Sequence, residues 1–355
     1  MMKALFVVLL SFFFEGCLAS ISYYLVELTE ESDPKGLSIP INLYSGSPYE
    51  APVYLSLLNS VCWVASTYCY TADCLNLNPY IVYNGEGFFS KQLPEQVYTL
   101  SAFGSQITGA SVEEYCILPA SPAPYPEFIL NRINALRVMN YGTYRLPGVF
   151  GFGPGNLPNR RITPLVDVLG SSTFSIVLTD DAHYLVLGDQ IGVPYRGSAL
   201  LTDIPLYNVD DTWNYEIADF GTNTGSTVFT GLTGIAVLST DSYPIEIPKA
   251  AGLAMATALG ATVVTGEVDT YTILCSSVPS MGSIIFETIM GTISLSGFQI
   301  VNSNVGMCTF KVVGKDATRN GMPLWTMGVD FLASFYTTFN VGLSNISFYV
   351  PATSS

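Results

Sequence analysis

The chain of 355 residues has 13 Lys and Arg against 28 Asp and Glu, and a formal net charge of −15. So acidic a chain has few cations to neutralise phosphates, which argues against binding to nucleic acid or to an anionic membrane surface. Charged residues make up 12% of the chain, against roughly 25% in a typical soluble domain. Together with abundant Gly and Tyr, this composition favours a β-rich protein.

The N-terminal residues 1–19 read MMKALFVVLLSFFFEGCLA. Lys3 precedes a mostly apolar run, Ala4–Phe14, and Cys17-Leu18-Ala19 then has small residues at the cleavage positions. This pattern is typical of a secretory signal peptide cleaved before Ser20. No later run reaches the roughly 18 apolar residues of a membrane-spanning helix. The sequence therefore predicts a secreted or lumenal protein without a transmembrane segment.

Short apolar runs, rich in Val, Ile, Thr, Tyr and Phe, follow one another along the mature chain between Gly, Pro, Asn and Asp residues. This pattern predicts an all-β protein. The predicted strands include Val53–Leu57, Ile107–Val112, Phe174–Leu178, Tyr184–Leu187, Thr262–Val264, Ser283–Phe286 and Phe310–Val313. Two helices are predicted: Glu127–Met139, and Pro248–Leu259, which begins at a Pro and stops before Gly260.

The two halves of the chain resemble each other. Each has an apolar strand that leads into a Ser-containing turn, 53-VYLSLLNSVCW-63 and 235-IAVLSTDSYPI-245. Each later has an apolar pair followed by Gly, in 149-VFGFG-153 and 325-WTMGVDF-331. A turn-rich zone near Asp189–Ser198 separates the halves, so a duplicated β lobe is the simplest explanation.

In these motifs the chain resembles the pepsin-like aspartic proteases, over nearly all of the mature sequence. Each lobe of that family has an Asp-Thr-Gly turn, and 237-VLSTDSYPIEIP-248 follows the second-lobe pattern with Ser239 in place of the Asp, Thr240 retained and Asp241 in place of the Gly. The run 325-WTMGVDFLASFYTTFN-340 matches the closing motif without a gap, and 148-GVFGFGPGN-156 resembles its first-lobe counterpart. The resemblance implies an all-β, bilobal fold of two related six-stranded-type lobes with a few short helices, over residues 20–190 and 191–355.

Cleavage of the predicted signal peptide removes Cys17 and leaves six cysteines. An even number of cysteines in a secreted chain predicts disulfides. Spacing alone leaves all 15 pairings of six cysteines open. The resemblance implies a bridge between Cys69 and Cys74 and another between Cys275 and Cys308, which leaves Cys62 and Cys116 as a third pair. Asn345, in Asn-Ile-Ser, is a candidate glycosylation site.

Peptide hydrolysis in this family needs two carboxylates that share one proton, so that one acts as general base on a water and the other as acid toward the substrate carbonyl. Alignment on Trp63 places the first of them at Ser56, and alignment on 46-GSP-48 places it at Leu57; neither has a carboxylate. Leu58 stands where the family has Gly. The second position is Ser239, so both acids are predicted to be absent.

Two other sources of activity remain. A shift of two residues would make Asp241 the catalytic acid, but Thr240 and Pro248 oppose that shift, and we expect Asp241 to bond its own backbone in the turn. A Ser nucleophile needs a base, and the single histidine, His183, lies far from both turns in the family's arrangement. One His and bridged cysteines also argue against a zinc site.

The sequence thus predicts a secreted, catalytically inactive relative of aspartic endopeptidases, without cofactor or metal, that binds a peptide or protein through its interlobe cleft or its surface. Phe103 stands in place of the Tyr in the family's flap. The predicted cleft residues are Ser56, Leu57, Leu58, Trp63, Phe103, Ser239, Thr240 and Asp241. The alternatives are an extracellular structural protein that uses the fold only as a scaffold, and a weak endopeptidase that uses Asp241. The partner and the oligomeric state are left open.

Overall fold

The computed structural model describes residues 23–32, 35–44, 48–65, 91–102, 105–119, 128–140, 148–155, 166, 169, 173–179, 182–188, 193, 196–207, 212–302 and 306–352. The predicted signal peptide, the predicted lobe boundary at 190/191, Phe103, Cys69 and Cys74 lie outside these ranges. No helix in the described ranges is long and apolar enough to cross a membrane.

The first half of the chain is built from strands. They are β1 (Tyr23–Glu27), β2 (Thr29–Ser32), β3 (Lys35–Tyr44), β4 (Pro48–Ser56), β5 (Cys62–Ala65), β6 (Lys91–Ala102), β7 (Ser105–Leu118), β8 (Phe128–Asn140), β9 (Gly148–Gly151), β10 (Thr173–Thr179) and β11 (Ala182–Gly188). Eight of them form one sheet in the order β2-β3-β4-β9-β5-β8-β7-β6. A further pairing of β3 with β7 closes the strands between them into a ring around a hydrophobic core.

The second half contains the remaining strands and the three helices whose bounds lie in the described ranges. They are β12 (Arg196–Pro205), β13 (Asn214–Ile217), β14 (Asp219–Asn223), β15 (Thr227–Phe229), β16 (Gly234–Leu238), β17 (Ile245–Ile247), α1 (Lys249–Leu259), β18 (Thr262–Val264), β19 (Asp269–Leu274), a 3-10 helix (Cys275–Ser280), β20 (Ser283–Thr288), β21 (Gly291–Ser296), β22 (Val301–Asn302), β23 (Met307–Gly314), β24 (Thr318–Arg319), β25 (Met322–Met327), α2 (Val329–Leu332), β26 (Tyr336–Asn340) and β27 (Asn345–Pro351). A nine-stranded sheet follows the path β13-β16-β25-β17-β23-β19-β18, with β22 paired to β23 and β24 paired to β25 beside this path. A four-stranded sheet has the order β15-β14-β20-β21.

A third region of the molecule, a six-stranded sheet, joins the halves. Its order, β1-β11-β10-β26-β27-β12, takes three strands from each half. At the seam, the rings of Phe174 and Phe339 stack with centroids 4.7 Å apart. The Trp213 ring packs edge-on against Phe339, and its Nε1 donates to the Phe152 carbonyl across the two halves at 2.7 Å. The all-β, two-part architecture predicted from the sequence is therefore present.

The duplication seen in the sequence has a structural counterpart. In the first half, β9 lies between β4 and β5, parallel to the former and antiparallel to the latter. In the second half, β25 lies in the same way between β16 and β17. Each inserted strand leads to a Gly, Gly151 or Gly328, where a Cβ would lie 2.6 Å or 2.5 Å from the carbonyl oxygens of the adjoining turn. The apolar-apolar-Gly signature therefore marks where the backbone of a turn packs on the strand.

The two helix predictions have different outcomes. Helix α1 is present and ends at Gly260, whose φ of 70° is the left-handed conformation that Gly adopts without strain. The predicted helix Glu127–Met139 is wrong, because residues Phe128–Asn140 form strand β8. This strand is paired on both sides, antiparallel to β7 and parallel to β5, and such central pairing overrides a helix-like spacing of apolar residues.

The cysteines follow only part of the predicted pattern. Cys275 and Cys308 form a disulfide. The predicted bond between Cys62 and Cys116 is wrong. Cys62 lies on β5 and Cys116 on β7, and strand β8 runs between these two strands. Cys62 is opposite Ala135 of β8, and Ala135 is opposite Val112 of β7, which is four residues from Cys116. That offset is about 13 Å at roughly 3.3 Å per residue, beyond the roughly 7 Å that a disulfide allows between Cα atoms. Burial raises the pKa of the Cys62 thiol to about 12, against a hydrogen bond with the Gly151 backbone, so this thiol is unreactive.

Candidate functional site

Two turns, one from each half, meet at the centre of the molecule. The first turn, residues 56–60, follows β4, and the second turn, residues 239–244, follows β16. Each turn is hydrogen-bonded through its backbone to the inserted strand or to the residue that follows it. Phe152 N donates to Ser56 O at 2.7 Å in the first half, and Ser239 N donates to Met327 O at 2.9 Å in the second. The duplicated strand arrangement therefore places Ser56 and Ser239 in equivalent positions.

Thr240 ties the two turns together. Its buried hydroxyl donates to Leu55 O at 2.6 Å and accepts from Leu57 N at 3.2 Å, both in the other half. The equivalent position in the first turn is Leu57, whose side chain has no hydroxyl and lies buried in the hydrophobic core. The turns are thus related in backbone position but not in their hydrogen bonds.

The second contact between the turns joins Ser56 to Asp241. Ser56 Oγ donates to Asp241 Oδ2 at 3.0 Å, and it accepts from Leu58 N at 3.3 Å and from Asn59 Nδ2 at 3.0 Å. A hydroxyl has one proton and two lone pairs, so these three bonds use its full capacity. Asn59 is also part of this centre, although it is not among the residues predicted from the sequence. Its place in the same turn, three residues after Ser56, is the sequence feature that could have indicated it.

The second turn is closed by Ser239 rather than by Asp241. Asp241 N donates to Ser239 Oγ at 3.1 Å, which is the local bond of a Ser-initiated turn. The expectation that Asp241 bonds its own backbone is therefore wrong. The turn leaves the Asp241 carboxylate directed across the interface to Ser56, with Oδ1 3.3 Å from Thr240 Oγ1.

Asp241 is the ionisable group of the centre. Desolvation of this partly buried carboxyl raises its pKa to about 7, and the hydrogen bonds with Ser56 and Thr240 oppose the rise. Among the hydrogen bonds of the described residues, no second carboxylate contacts Ser56, Ser239 or Asp241. The centre therefore contains one carboxyl that changes charge near neutral pH.

The residues predicted to line the cleft differ in exposure. Ser56, Ser239 and Thr240 are buried at the contact between the turns. Leu57 and Trp63 are also buried, in the packed interior, so their predicted place on the cleft surface is corrected. Leu58 and Asp241 keep some exposed surface.

The remaining predicted sites lie elsewhere. His183 Nε2 lies 3.7 Å from Glu30 Oε1, and His183 makes no hydrogen bond to the two turns among those of the described residues. In the described ranges, no three His, Cys, Asp or Glu side chains are grouped as a metal site would require. Asn345 Nδ2 donates to Asp203 at 3.0 Å, and Ser347 Oγ donates to the same carboxylate at 2.7 Å. A glycan on Asn345 would alter the first of these bonds.

Comparison with known proteins agrees with this architecture. The family model for eukaryotic aspartyl proteases matches residues 59–350. Pepsin B from Canis lupus familiaris is 24% identical over 303 residues, covering 81% of this chain and 74% of the relative. Renin from Rattus norvegicus is 24% identical over 312 residues, covering 81% and 72%. The chain belongs to the eukaryotic aspartyl protease family.

Proposed function

We propose that this protein is a secreted member of the family without peptidase activity, which binds an extended peptide or protein segment between its two halves. The N-terminal signal-like segment supports secretion. The observation that carries the proposal is the hydrogen-bonded centre of Ser56, Ser239 and Asp241, which has a single carboxyl where the family's chemistry uses two.

A single carboxyl cannot perform the acid and base steps together. Two neighbouring carboxylates share one proton, because two negative charges so close together are unfavourable. The protonated carboxyl then acts as the acid and the ionised one as the base. Asp241 has a hydroxyl, Ser56 Oγ, as its partner at 3.0 Å. A hydroxyl cannot take a proton from water at neutral or acid pH, so Ser56 does not replace the missing base.

A serine nucleophile is also disfavoured. Ser56 Oγ has no spare lone pair, since Leu58 N and Asn59 Nδ2 occupy both and its proton is directed to Asp241. Ser239 Oγ is buried and accepts from Asp241 N. Neither hydroxyl is placed to attack a substrate carbonyl.

Binding is favoured over a purely structural role by the direction of the side chains. Leu57, which would block the space between the turns if it pointed outward, is packed in the core. Asp241 keeps some exposed surface, and its carboxyl donates a hydrogen bond when protonated and accepts one when ionised. Either form can pair with the main chain of an extended peptide, whose recognition rests chiefly on backbone hydrogen bonds.

The proposal predicts no proteolysis. The wild-type protein and the Asp241→Asn variant are incubated with internally quenched peptide libraries from pH 2 to 8, and cleavage products are measured by mass spectrometry. We expect the two proteins to be indistinguishable from buffer. Cleavage by wild type that Asp241→Asn abolishes would overturn the proposal in favour of a one-carboxyl endopeptidase.

The binding half of the proposal is tested on the same proteins by calorimetry, with a statine-containing hexapeptide as a probe of extended, transition-state-like shape. We expect saturable binding that Asp241→Ala weakens about tenfold, a change of about 1.4 kcal/mol. The control Glu267→Gln removes an exposed carboxylate elsewhere and should leave affinity unchanged. Absence of saturable binding would favour the scaffold role.

A further inference from the structure

A cavity of about 910 Å³ lies where the two halves meet, apart from the Ser56–Asp241 centre. Its wall from the first half includes Glu30 on β2 and His183 on β11. Its wall from the second half includes Tyr243, β23 residues and α2 residues. Neither Ser56, Ser239 nor Asp241 lines it. Its volume falls within the roughly 300–1,000 Å³ typical of ligand sites.

The cavity is fixed by the same second turn that forms the centre. Val329 N donates to Ser242 O at 2.8 Å and Asp330 N donates to Tyr243 O at 2.9 Å, so two backbone hydrogen bonds join the turn to α2. The Tyr243 side chain extends into the cavity wall, where its hydroxyl hydrogen-bonds Glu30. Burial, then the nearby charge of Glu30, raises the pKa of Tyr243, so the phenol stays neutral.

The charge of the cavity is negative. Glu30 and Asp330 contribute two carboxylates to its lining, and Lys311 contributes one ammonium, 3.6 Å from Asp330. His183 lies 3.7 Å from Glu30 and adds positive charge only when it is protonated. The Glu30 side chain is 46% exposed, so it is accessible to a ligand. At neutral pH the cavity therefore has an excess of negative charge, in a chain that is itself strongly acidic.

The cavity also has an aromatic surface. Phe298 lines it with 69% of its area exposed. An exposed ring beside carboxylates suits a side chain with an apolar stem and a cationic end, because the stem packs on the ring and the cation is attracted to ring face and carboxylate.

We propose that this cavity docks a Lys or Arg side chain presented by a partner protein, with Glu30 beside the cation and Phe298 against its aliphatic stem. The carboxylate matches the charge of the cation, and the aromatic ring provides an apolar surface for the aliphatic stem. None of Ser56, Ser239 and Asp241 lines this cavity, so its occupant need not be the peptide bound between the turns.

The test uses fluorescence anisotropy of the full-length protein with a fluorescein-labelled pentapeptide of alternating Lys and Leu, at neutral pH and low salt. The matched peptide has Gln in place of Lys. We expect saturable binding of the Lys peptide only, weakened at least fivefold by Glu30→Gln and by Phe298→Ala. Two controls remove the same groups elsewhere: Glu267→Gln, an exposed acid, and Phe229→Ala, an aromatic ring 43% exposed on β15. Both should change affinity less than twofold.

Three results would overturn the proposal: no saturable binding, equal binding of the Gln peptide, or equal loss in the variants and their controls. The last result would indicate general attraction to an acidic surface. Phe298→Ala keeps the inference testable if Glu30→Gln perturbs folding, since Phe298 is exposed. Unchanged binding of the statine peptide in Phe298→Ala, alongside lost binding of the Lys peptide, separates this site from the centre.

Discussion

At the scale of single residues, the centre contains two serine hydroxyls, Ser56 and Ser239, and one carboxyl, Asp241. Asp241 accepts a hydrogen bond from Ser56 in the other half and is linked through its backbone N–H to Ser239. The result is one acid that belongs to the second turn and contacts the first. Its proton therefore depends on how the two halves are packed together.

This proton links stability to pH. The pKa of Asp241 is raised from 3.8 to about 7 in the folded protein, so the folded state binds more protons than the unfolded state between those values. The stability associated with the protonated form is fully present below about pH 3.8 and is lost as pH rises through about 7.

We expect Asp241→Asn, which stays neutral, to gain stability relative to wild type as pH rises from 4 to 8. Three pH units at about 1.4 kcal/mol each set an upper limit of about 4 kcal/mol, and the partial exposure of Asp241 reduces the expected gain to about 1–3 kcal/mol. Urea unfolding at pH 4, 6 and 8 measures the difference, with Glu267→Gln as control. A difference that does not change with pH would contradict the assignment.

The sequence predicts which residues form the centre, but it does not predict the hydrogen bond between Ser56 and Asp241. The motif flanks located Ser56, Thr240 and Ser239, because strand and turn patterns are local. The bond between Ser56 and Asp241 joins residues 185 apart, and nothing local specifies it. Likewise, the proximity of Leu57 and Trp63 to Ser56 in the sequence predicts a place on the cleft surface, whereas both side chains are buried in the packed interior.

At the scale of elements, the inserted strands β9 and β25 explain why two glycines are required. A Cβ on Gly328 would lie 2.5 Å from Ser242 O and Pro244 O, which are backbone atoms of the second turn. The turn cannot retreat without disturbing Val329 N and Asp330 N, which donate to it. The same strand thus fixes the positions of the centre and of the cavity.

We expect Gly328→Ala to destabilise the protein by about 2–3 kcal/mol, because overpacking against backbone has no side chain to displace. Gly266→Ala is the control, since its Cβ would lie 3.2 Å from the nearest atom, in an exposed turn. It should cost under about 1 kcal/mol. Thermal unfolding measures both, and equal effects would show that the close approach at Gly328 is relieved without cost.

The sequence predicts a helix or strand correctly where the local residue preference and the packing against neighbouring elements favour the same structure. Thr262–Val264 is a strand as expected, and α1 begins and ends as its Pro and Gly predicted. Strand β8 was not predictable, because its Ile, Leu and Val spacing fits either element, and only its two neighbouring strands decide between them.

At the scale of the whole molecule, a few polar bonds fix the halves against each other. Besides Thr240, the Trp213 indole crosses the interface to donate to Phe152 O, within a cluster of aromatic rings. Both partners are buried, so loss of the donor leaves a carbonyl unsatisfied.

We expect Trp213→Phe to cost about 1–2 kcal/mol more than Trp325→Phe. The two residues are both fully buried, but Trp325 Nε1 has no hydrogen-bond partner among the described residues, so its substitution removes ring volume without removing a bond. Denaturant unfolding of the two variants gives the difference. Equal losses would mean that the indole contributes by packing alone.

The shared sheet also constrains the order in which the chain reaches its final state. Strand β10 pairs with β26, and Ser175 Oγ lies 2.8 Å from Thr338 Oγ1, a residue 163 positions later. During synthesis the first half therefore presents an unpaired strand edge until almost the whole chain has emerged, and contacts this distant slow folding. A chain terminated before Tyr336 would keep that edge permanently open to pairing with other chains, so aggregation rather than a stable half-molecule is the expected fate of a truncated product.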